Sequence, residues 1–286
     1  MQTKLPDDFA AFILTHGRPR NISTLNSLAS SGYTGRVYIV IDNEDATGDE
    51  YKALYGDKVI VFDKREIAKT FDQGDNFNER RTIIYARNAC FEIAKQIGVK
   101  YFIQLDDDYT CFQYRLYNSG LGYMKIHSLD SVMSVLLEYY KLIPAASIAM
   151  AQGGDFIGGK QSPHAKHLKP LRKCMNTFIC STDRPFQFVG RINEDVNTYV
   201  WRGSQGRLFF TIPIVSIVQK TTQKNKGGMS DVYLMSGTYL KSFYTVMYAP
   251  SCTKIKLMGD KHKRLHHCIT WRNAVPVILC ESVKKK

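Results

Sequence analysis

Short apolar runs that end in polar or acidic residues recur along the first third of the chain. Residues 10–14, 37–41, 58–62 and 101–103 form such runs. Each is long enough for a buried strand and too short for a buried helix. Polar loops follow the first two, and three aspartates follow the last closely. The pattern predicts four buried strands whose carboxyl ends open into polar loops.

Helical spacing separates these predicted strands. Ile22, Leu25 and Leu28 recur at helical spacing and are followed by a Ser-Gly stop. Residues 82–97 carry an apolar stripe, and Gly98 follows them as a helix terminator. Strands that alternate with helices predict an α/β fold, with a mostly parallel Rossmann-type sheet flanked by helices. Ligands of such sheets bind beyond the carboxyl ends of the strands, where Thr15, Asp42 and Asp106 stand.

The most informative motif is Leu105-Asp106-Asp107-Asp108, at the end of the fourth predicted strand. Three successive carboxylates repel one another and raise each other's proton affinity unless a cation or hydrogen-bond donors neutralise them. Oxygen ligands favour Mg²⁺ or Mn²⁺, which bind one or two carboxylates together with substrate phosphates. The tetrad therefore predicts a site for a divalent metal and a phosphate. An acidic turn that caps the next element is the alternative.

The order of these elements resembles the nucleotide-sugar glycosyltransferases of the GT-A type. The resemblance rests on Thr-His-Gly-Arg-Pro after the first strand, the acid after the second, the Ala-Arg-Asn of the helix and the Leu-Asp-Asp-Asp tetrad. It implies a UDP-sugar donor and Mn²⁺ or Mg²⁺ as the metal. The donor-site residues would be Thr15, Arg18, Asp42, Arg87, Asp106 and Asp107. Asp106 and Asp108 would hold the metal.

Arg87 lies two helical turns from Arg80 in the sequence, and both fall on one predicted helical face. Arg87 would help to neutralise the diphosphate of the donor. A helix face exposed to solvent is an equally good interpretation of these two arginines.

Two later elements fit the same resemblance. Glu194-Asp195 is similar to the acid pair that begins the acceptor-side helix, where one carboxylate takes the proton of the attacking hydroxyl in inverting enzymes. Asp195 is the first candidate for that base and Glu194 the second, and an acid pair at a helix N-terminus is the alternative. His266 or His267 would be a further metal ligand, with His266 taken as the candidate. A surface histidine pair is the other interpretation.

Charge is divided unequally between the two halves of the chain. The net charge of +13 comes entirely from residues 151–286, which carry +15, whereas residues 1–150 carry −2. We therefore predict a nucleotide-sugar-binding half, 1–150, and a basic half, 151–286, that binds a polyanionic acceptor, within one continuous domain. Aromatic residues lie among the basic clusters, as they do in tracks that stack nucleic-acid bases. A solvated basic face over core aromatics is the alternative. The aromatic residues concerned are Phe178, Phe186, Phe188, Tyr199 and Trp201.

The cysteines and the hydropathy of the chain indicate the cellular compartment in which we expect the protein. Seven cysteines without a Cys-x-x-Cys motif predict reduced thiols. No apolar stretch is long enough to span a membrane, and the first residues lack a secretory signal, so we expect a cytoplasmic protein that contacts no membrane. No obligate protein partner is evident in the sequence.

The segment from Arg264 to Pro276, together with Thr15-His16-Gly17-Arg18-Pro19, resembles the TET-associated glycosyltransferases found in bacteriophage genomes. Members of that family are thought to add sugars to hydroxymethylated pyrimidines of phage DNA. The resemblance implies transfer from a UDP-sugar to 5-hydroxymethylcytosine in DNA. Two other functions stay open: transfer to an anionic glycan or lipopolysaccharide, and nucleic-acid binding without catalysis on the same fold.

Overall fold

A computed structural model describes residues 4–75, 80–116, 122–156, 173–220, 240–258, 263–274 and 280–281. Eleven strands lie within these ranges. They are β1 (Phe9–Leu14), β2 (Arg36–Asp42), β3 (Val59–Phe62), β4 (Tyr101–Asp106), β5 (Tyr109–Leu116), β6 (Gly122–Lys125), β7 (Ala145–Gln152), β8 (Phe178–Ser181), β9 (Leu208–Gln219), β10 (Thr253–Met258) and β11 (Arg264–Ile269).

The described helices are α1 (Ser23–Ser30), α2 (Gly48–Tyr55), α3 (Lys64–Ala68), α4 (Ile84–Gln96), α5 (Leu129–Leu142), α6 (Glu194–Ser204), α7 (240–248) and α8 (Trp271–Ala274). Two short 3₁₀ turns, Gly56–Lys58 and Gly153–Phe156, accompany them. The first two predicted helices correspond to α1 and α4. In the part of the chain that the structure describes, no helix has the length and apolarity that a membrane span requires.

Nine strands form one sheet in the order β3-β2-β1-β4-β8-β7-β9-β5-β6, and β10 pairs with β11 separately. Pairing is parallel from β3 to β4 and between β7 and β9, and antiparallel elsewhere in the large sheet. The predicted α/β class, with a central sheet flanked by helices, is confirmed. Strands of the two halves of the sequence alternate within this sheet, because β8 lies between β4 and β7.

Apolar cores cover both faces of the sheet. One core contains residues of β1, α1 and α5, and the other contains residues of β1, α4, β8 and α6. Consecutive strand residues point to opposite faces, so a strand such as β1 contributes to both cores and is buried along its whole length. Such strands are apolar throughout, which is why the first predicted strands were visible as continuous runs.

The register of the parallel strands brings the predicted site residues to one edge. Leu14 of β1 lies opposite Val40 of β2 on one side and opposite Asp106 of β4 on the other. Thr15 therefore follows β1 at the same edge where β2 ends with Asp42 and β4 ends with Asp106. The fold positions these three residues as the sequence predicted.

Two sequence interpretations are wrong. The aromatics proposed to stack on bases are mostly core residues, since Phe178, Phe186, Phe188 and Tyr199 are all buried between the sheet and its helices. Trp201 is partly exposed and packs near Tyr248 and under Arg202. Burial of such large apolar rings is strongly favourable, and this explains their number better than base stacking does.

The prediction that Arg80 and Arg87 share one helical face is also wrong. Arg80 precedes α4 and pairs with Glu44, at 2.7 Å, whereas Arg87 lies within α4 and is buried. Of the basic residues between 160 and 173, Lys160, Lys166, Lys169 and Arg172 lie outside the described residues. The glycine-rich segment 151–160 predicts either a flexible loop near the acceptor or an ordinary turn-rich connection. The structure describes 151–156 of it, which end β7 and form a 3₁₀ turn.

Candidate active site

The acidic tetrad forms a tight connection between β4 and β5, and α1 holds it in place. The hydroxyl of Thr24 donates to the carbonyl of Asp106, at 2.6 Å, and accepts from the amide of Tyr109, at 3.0 Å. The amide of Thr24 donates to the carbonyl of Asp107, at 3.2 Å. The helix thus satisfies backbone groups of the turn and leaves the three carboxylates available for other partners.

A buried arginine joins the tetrad to the second acidic motif. Arg87 of α4 donates from Nη2 to Asp106, at 2.9 Å, and from Nε to Glu194, at 3.1 Å. Its guanidinium lies over the ring of Phe178, 4.8 Å from the ring centre. A buried guanidinium requires anionic partners, and two carboxylates from distant parts of the chain supply them. The Nη1 atom of Arg87 is buried and has no hydrogen-bond partner within the described ranges.

The carboxylates of this cluster hold protons more tightly than usual. Burial raises the pKa of Asp106 to about 7, Arg87 opposes the rise, and Asp108 and Asp107 add to it. Burial also raises the pKa of Asp108, and the charge of Asp107 raises it further. A site with clustered, desolvated carboxylates favours a bound cation, and oxygen donors suit Mg²⁺ or Mn²⁺. The side chains of Asp106 and Asp108 therefore fit the predicted metal.

Asp107 has a different environment. It accepts a hydrogen bond from the hydroxyl of Thr15, at 2.6 Å, and pairs with Arg18, at 3.1 Å. Tyr51 of α2 joins this group, because its hydroxyl lies 2.9 Å from that of Thr15 and accepts from the amide of Arg18, also at 2.9 Å. The structure thus brings Thr15, Arg18 and Asp107 together. The carboxylate of Asp107 is occupied by these two partners and is therefore not free to bind a metal.

Asp42, at the end of β2, belongs to a neighbouring polar group. It is bonded to His16 at 2.8 Å and to the buried Lys64 at 3.1 Å. Burial opposes ionisation of Asp42, but the hydrogen bonds and charges of His16 and Lys64 outweigh it and lower its pKa. The hydrogen bond to Asp42 raises the pKa of His16. Asp42 is therefore a fixed anion at the carboxyl end of β2.

The Glu-Asp pair begins α6, directly after a strained residue. Asn193 has a left-handed φ of 62°, and its side chain donates to Thr245, at 2.6 Å. Glu194 points to Arg87, and its pKa is raised to about 7 by burial and by the charge of Asp195. Asp195 is more exposed and accepts from the amide of Val196. Within the described part of the chain, Asp195 makes no ion pair.

The histidine pair lies on β11, close to the start of α6. The Nδ1 atom of His267 lies 3.3 Å from the side-chain amide of Asn193, and burial lowers the pKa of His267 to about 3. Among the residues that the structure describes, no three acidic, His or Cys side chains converge as metal ligands. Asp106, Asp108 and His266 are therefore not gathered into one ligand set, and the role of His266 stays a prediction.

Three positions of the site were not recognised in the sequence: Thr24, Tyr51 and Lys64. Thr24 lies within the first predicted helix, where a hydroxyl residue gives no functional signal. Tyr51 lies nine residues after the end of β2, and Lys64 lies two residues after the end of β3. Each acts through a partner that is distant in sequence, such as Asp106 for Thr24. A single sequence carries no signal for such pairings.

Three solved structures that are similar to this chain have low sequence identity to it. Glucosyl-3-phosphoglycerate synthase from Mycobacterium tuberculosis, in complex with Mg²⁺ and UDP, is 8% identical, with a TM-score of 0.47 over 91% of this chain and 87% of that chain. TarS of S. aureus is 11% identical, with a TM-score of 0.42 over 76% and 37% of the two chains. GalNAc-T7 with UDP, GalNAc and Mn²⁺ is 11% identical, with a TM-score of 0.38 over 74% and 42%.

No curated protein matches the chain. The sequence profile named TET-Associated Glycosyltransferase, in contrast, matches residues 9–228, well over half of the chain. The matched range begins with β1 and contains the acidic tetrad, Arg87 and the Glu-Asp pair, which are the elements that the structure joins. The chain therefore belongs to the TET-associated glycosyltransferases, as its motifs predicted, and it is a glycosyltransferase.

Proposed function

We propose that this enzyme transfers a sugar from a UDP-sugar to the hydroxymethyl group of 5-hydroxymethylcytosine in DNA. One observation carries the proposal: Arg87 bonds to both Asp106 and Glu194, at 2.9 and 3.1 Å. The tetrad expected to bind the donor and the acid pair expected to serve the acceptor are thus separated by a single guanidinium. Membership of the family supports the same assignment.

The donor would lie at the carboxyl ends of β1, β2 and β4. Asp42, fixed by His16 and Lys64, would bind the nucleoside, and Thr15 and Arg18 would orient Asp107 beside it. Arg87 would add positive charge near the diphosphate, and its unpartnered Nη1 is available for a rearranged contact. The proposed UDP-sugar agrees with the UDP present in the two structures cited above that carry a nucleotide.

Asp106 and Asp108 would hold Mg²⁺ or Mn²⁺. His266, which the structure does not gather with them, would have to move towards them to act as the proposed third protein ligand. When bound, the ion would neutralise the charge that develops on the departing UDP. The chain itself supplies the carboxylates and keeps them rigid, because Thr24 fixes the backbone on both sides of Asp107. Arg87 meanwhile keeps Asp106 oriented through its 2.9 Å hydrogen bond.

A primary hydroxyl hardly ionises at neutral pH, so transfer requires a base that takes its proton as the bond forms. Asp195 is the proposed base if the enzyme inverts the anomeric centre. Glu194 is engaged by Arg87, whereas Asp195 lies beside it, more exposed and without an ion pair in the described residues. Glu194 would position Arg87 and stays the second candidate for the base.

The proposed acceptor rests on charge and on family membership. Residues 151–286 carry a net charge of +15, which suits a polyanion such as DNA. The 5-substituent of cytosine projects into the major groove, so a duplex can present the hydroxymethyl group without a stacking pocket for an extruded base. This agrees with the burial of the aromatics once expected to form such a pocket. We place the reaction in the cytoplasm, where phage DNA and UDP-sugars would meet.

Release of UDP tests the proposal. The wild-type enzyme is mixed with Mn²⁺, a panel of UDP-sugars and one of three acceptors: a duplex with 5-hydroxymethylcytosine, the same duplex with cytosine, or an anionic glycan. We expect UDP release above the hydrolysis background with the first duplex alone. Release that depends on the glycan instead would favour the glycan acceptor, and release with no acceptor dependence would contradict transfer to DNA.

A further inference from the structure

Unlike Arg87, Arg115 is buried without an anionic partner among the residues that the structure describes. Arg115, near the end of β5, is 8% exposed. Its guanidinium is stacked between two rings, 4.4 Å from the centre of Tyr123 and 4.2 Å from that of Phe156. The Nε atom donates to the hydroxyl of Ser216, at 3.3 Å. These contacts fix the plane of the guanidinium. Among the described residues, none bonds to its two terminal nitrogens, Nη1 and Nη2.

The charge of Arg115 is not neutralised by a nearby acid. Among the residues that the structure describes, Arg115 forms no salt bridge, and its Nη1 and Nη2 atoms have no hydrogen-bond partner and are not fully buried. Asp155 adjoins Phe156 in sequence, but it is engaged by Lys173. A buried cation without a counterion is costly, so its presence points to an anionic ligand.

Stacking and planarity suit Arg115 to a phosphate. An arginine held between aromatic rings presents its two terminal amino groups as a rigid fork, which matches two oxygens of one phosphate. Phe112 and Tyr114 of β5 pack against one core of the sheet, so the alternation of strand residues places Arg115 on the other face. Tyr123 on the edge strand β6 is 64% exposed and marks where the fork reaches the surface.

We propose that Arg115 binds a backbone phosphate of the acceptor DNA, outside the catalytic centre. This inference rests on the proposed DNA acceptor. Arg115 lies six residues along β5 from Tyr109, which adjoins Asp108, and this corresponds to roughly 20 Å of strand. The rise of duplex DNA is about 3.4 Å per base pair. Arg115 would therefore contact a phosphate several base pairs from the modified cytosine and set the register of the duplex on the enzyme.

The test measures how DNA affinity depends on salt. A fluorescent duplex with one 5-hydroxymethylcytosine is titrated with wild type and with Arg115→Met between low and moderate salt. Loss of one phosphate contact should reduce the slope of log affinity against log salt by about 0.9, and should weaken binding on the order of tenfold near 0.1 M salt. UDP-sugar hydrolysis without DNA should not change. Arg115→Gln, which can still bond to Ser216, replaces Arg115→Met if the latter lowers the melting temperature.

Arg36→Met is the matched control. Arg36 also stacks on a tyrosine, at 5.4 Å from the centre of Tyr38, but it lies on β2 and donates to the carbonyl of Asp7. We expect this variant to keep the wild-type slope. An unchanged slope in both Arg115 variants, with steep wild-type binding, would overturn the role of Arg115 and leave the acceptor proposal intact. No DNA binding by the wild type would overturn both.

Discussion

Arg87 is the residue on which the candidate site is centred. It is buried in α4, and its charge is balanced by one carboxylate from each acidic motif. The two acids differ in what they leave free: Glu194 is occupied by Arg87, whereas the adjacent Asp195 is more exposed. The arrangement therefore separates a positioning acid from a candidate base, although the two are neighbours in sequence.

The role of Asp195 can be tested by removing its basicity alone. Asp195→Asn should reduce turnover by about 10²-fold or more, which is the usual contribution of a general base, and should leave UDP-sugar affinity unchanged. Single-turnover transfer and calorimetric UDP binding measure the two effects. Asp183→Asn, a surface acid that pairs with Lys100, is the control and should act as wild type. A parallel loss of donor affinity in Asp195→Asn would make this residue part of the donor site.

Asp108 tests the metal assignment. Asp108→Asn removes one charge from the proposed Mn²⁺ or Mg²⁺ site, so transfer should be abolished and UDP should bind no more tightly with Mn²⁺ than with EDTA. The fold should be unaffected, because the backbone carbonyl of Asp108, and not its carboxylate, bonds to Lys220. Transfer at the wild-type rate by this variant in EDTA would show that the carboxylate holds no metal.

The pKa of Asp106 has a consequence for stability. Its folded pKa is raised to about 7, above its ordinary value, so its protonated form favours folding at low pH and this contribution is lost as pH rises towards and beyond 7. Asparagine cannot ionise and avoids this loss. In EDTA, the melting temperature of Asp106→Asn relative to wild type should therefore rise by a few degrees between pH 5 and pH 8. A difference that stays constant across this range would contradict the raised pKa.

The sequence predicted the acidic residues of the site, but it did not predict all of the residues that hold them in position. Asp106 and Glu194 were visible because acidic clusters follow apolar runs or begin a helix. For Arg87 the sequence left two interpretations open, since a helical arginine can serve either a site or solvent, and only its burial against Phe178 separates them. Thr24 and Tyr51 could not be identified, because their partners lie far away in the chain and only the fold brings them together.

At the scale of elements, the segment that leads into α6 determines where the acid pair points. Gly190 has a φ of 77°, and Asn193 has one of 62°. The side chain of Asn197 bonds back to the carbonyl of Ile192, at 2.9 Å, and closes the turn. Two left-handed residues within four positions, held by a helix side chain, present Glu194 to Arg87. The tight turn explains why a glycine stands at position 190.

Gly190→Ala tests this turn. An added Cβ would collide with the Asn197 side chain and lie 2.7 Å from the Tyr248 ring, in a backbone conformation that alanine avoids. We expect destabilisation of about 1–3 kcal/mol, with transfer reduced more than UDP binding because α6 shifts. Gly154→Ala, which meets no atom within 4 Å, is the control and should melt like wild type. Equal melting temperatures for the two variants would contradict the account.

Elements differed in how well they could be predicted. The strands β1 to β4 and the helix α4 were visible because buried parallel strands are continuously apolar and an amphipathic helix has its own period. The antiparallel pairing of β5 with β9, and the insertion of β8 between β4 and β7, were not predicted. The pairings of β5 with β9 and of β4 with β8 join residues about 74 to 110 positions apart, and that of β7 with β8 joins Ile148 to Ile179. Local sequence patterns do not encode such pairings.

At the scale of the whole molecule, one sheet supports both the acidic tetrad of the candidate donor site and the Glu-Asp pair of the candidate acceptor side. Because strands from both halves alternate in the sheet, the acidic tetrad of the first half and the Glu-Asp pair of the second are held on one rigid support. The net charge of residues 151–286 would attract the proposed polyanionic acceptor over a long range. We therefore predict a single reaction, in which a sugar is transferred from a UDP-sugar to a hydroxyl on DNA.

The mass of the nucleosides after reaction tests that claim most directly. Duplex DNA with 5-hydroxymethylcytosine is incubated with the enzyme, Mn²⁺ and each UDP-sugar, digested to nucleosides and analysed by mass spectrometry, with the matched cytosine duplex in parallel. We predict that 5-hydroxymethyl-2′-deoxycytidine gains the mass of one sugar minus water with at least one donor, and that 2′-deoxycytidine is unchanged. Unmodified nucleosides with every donor, from an enzyme that hydrolyses a UDP-sugar in the same tube, would contradict DNA as the acceptor.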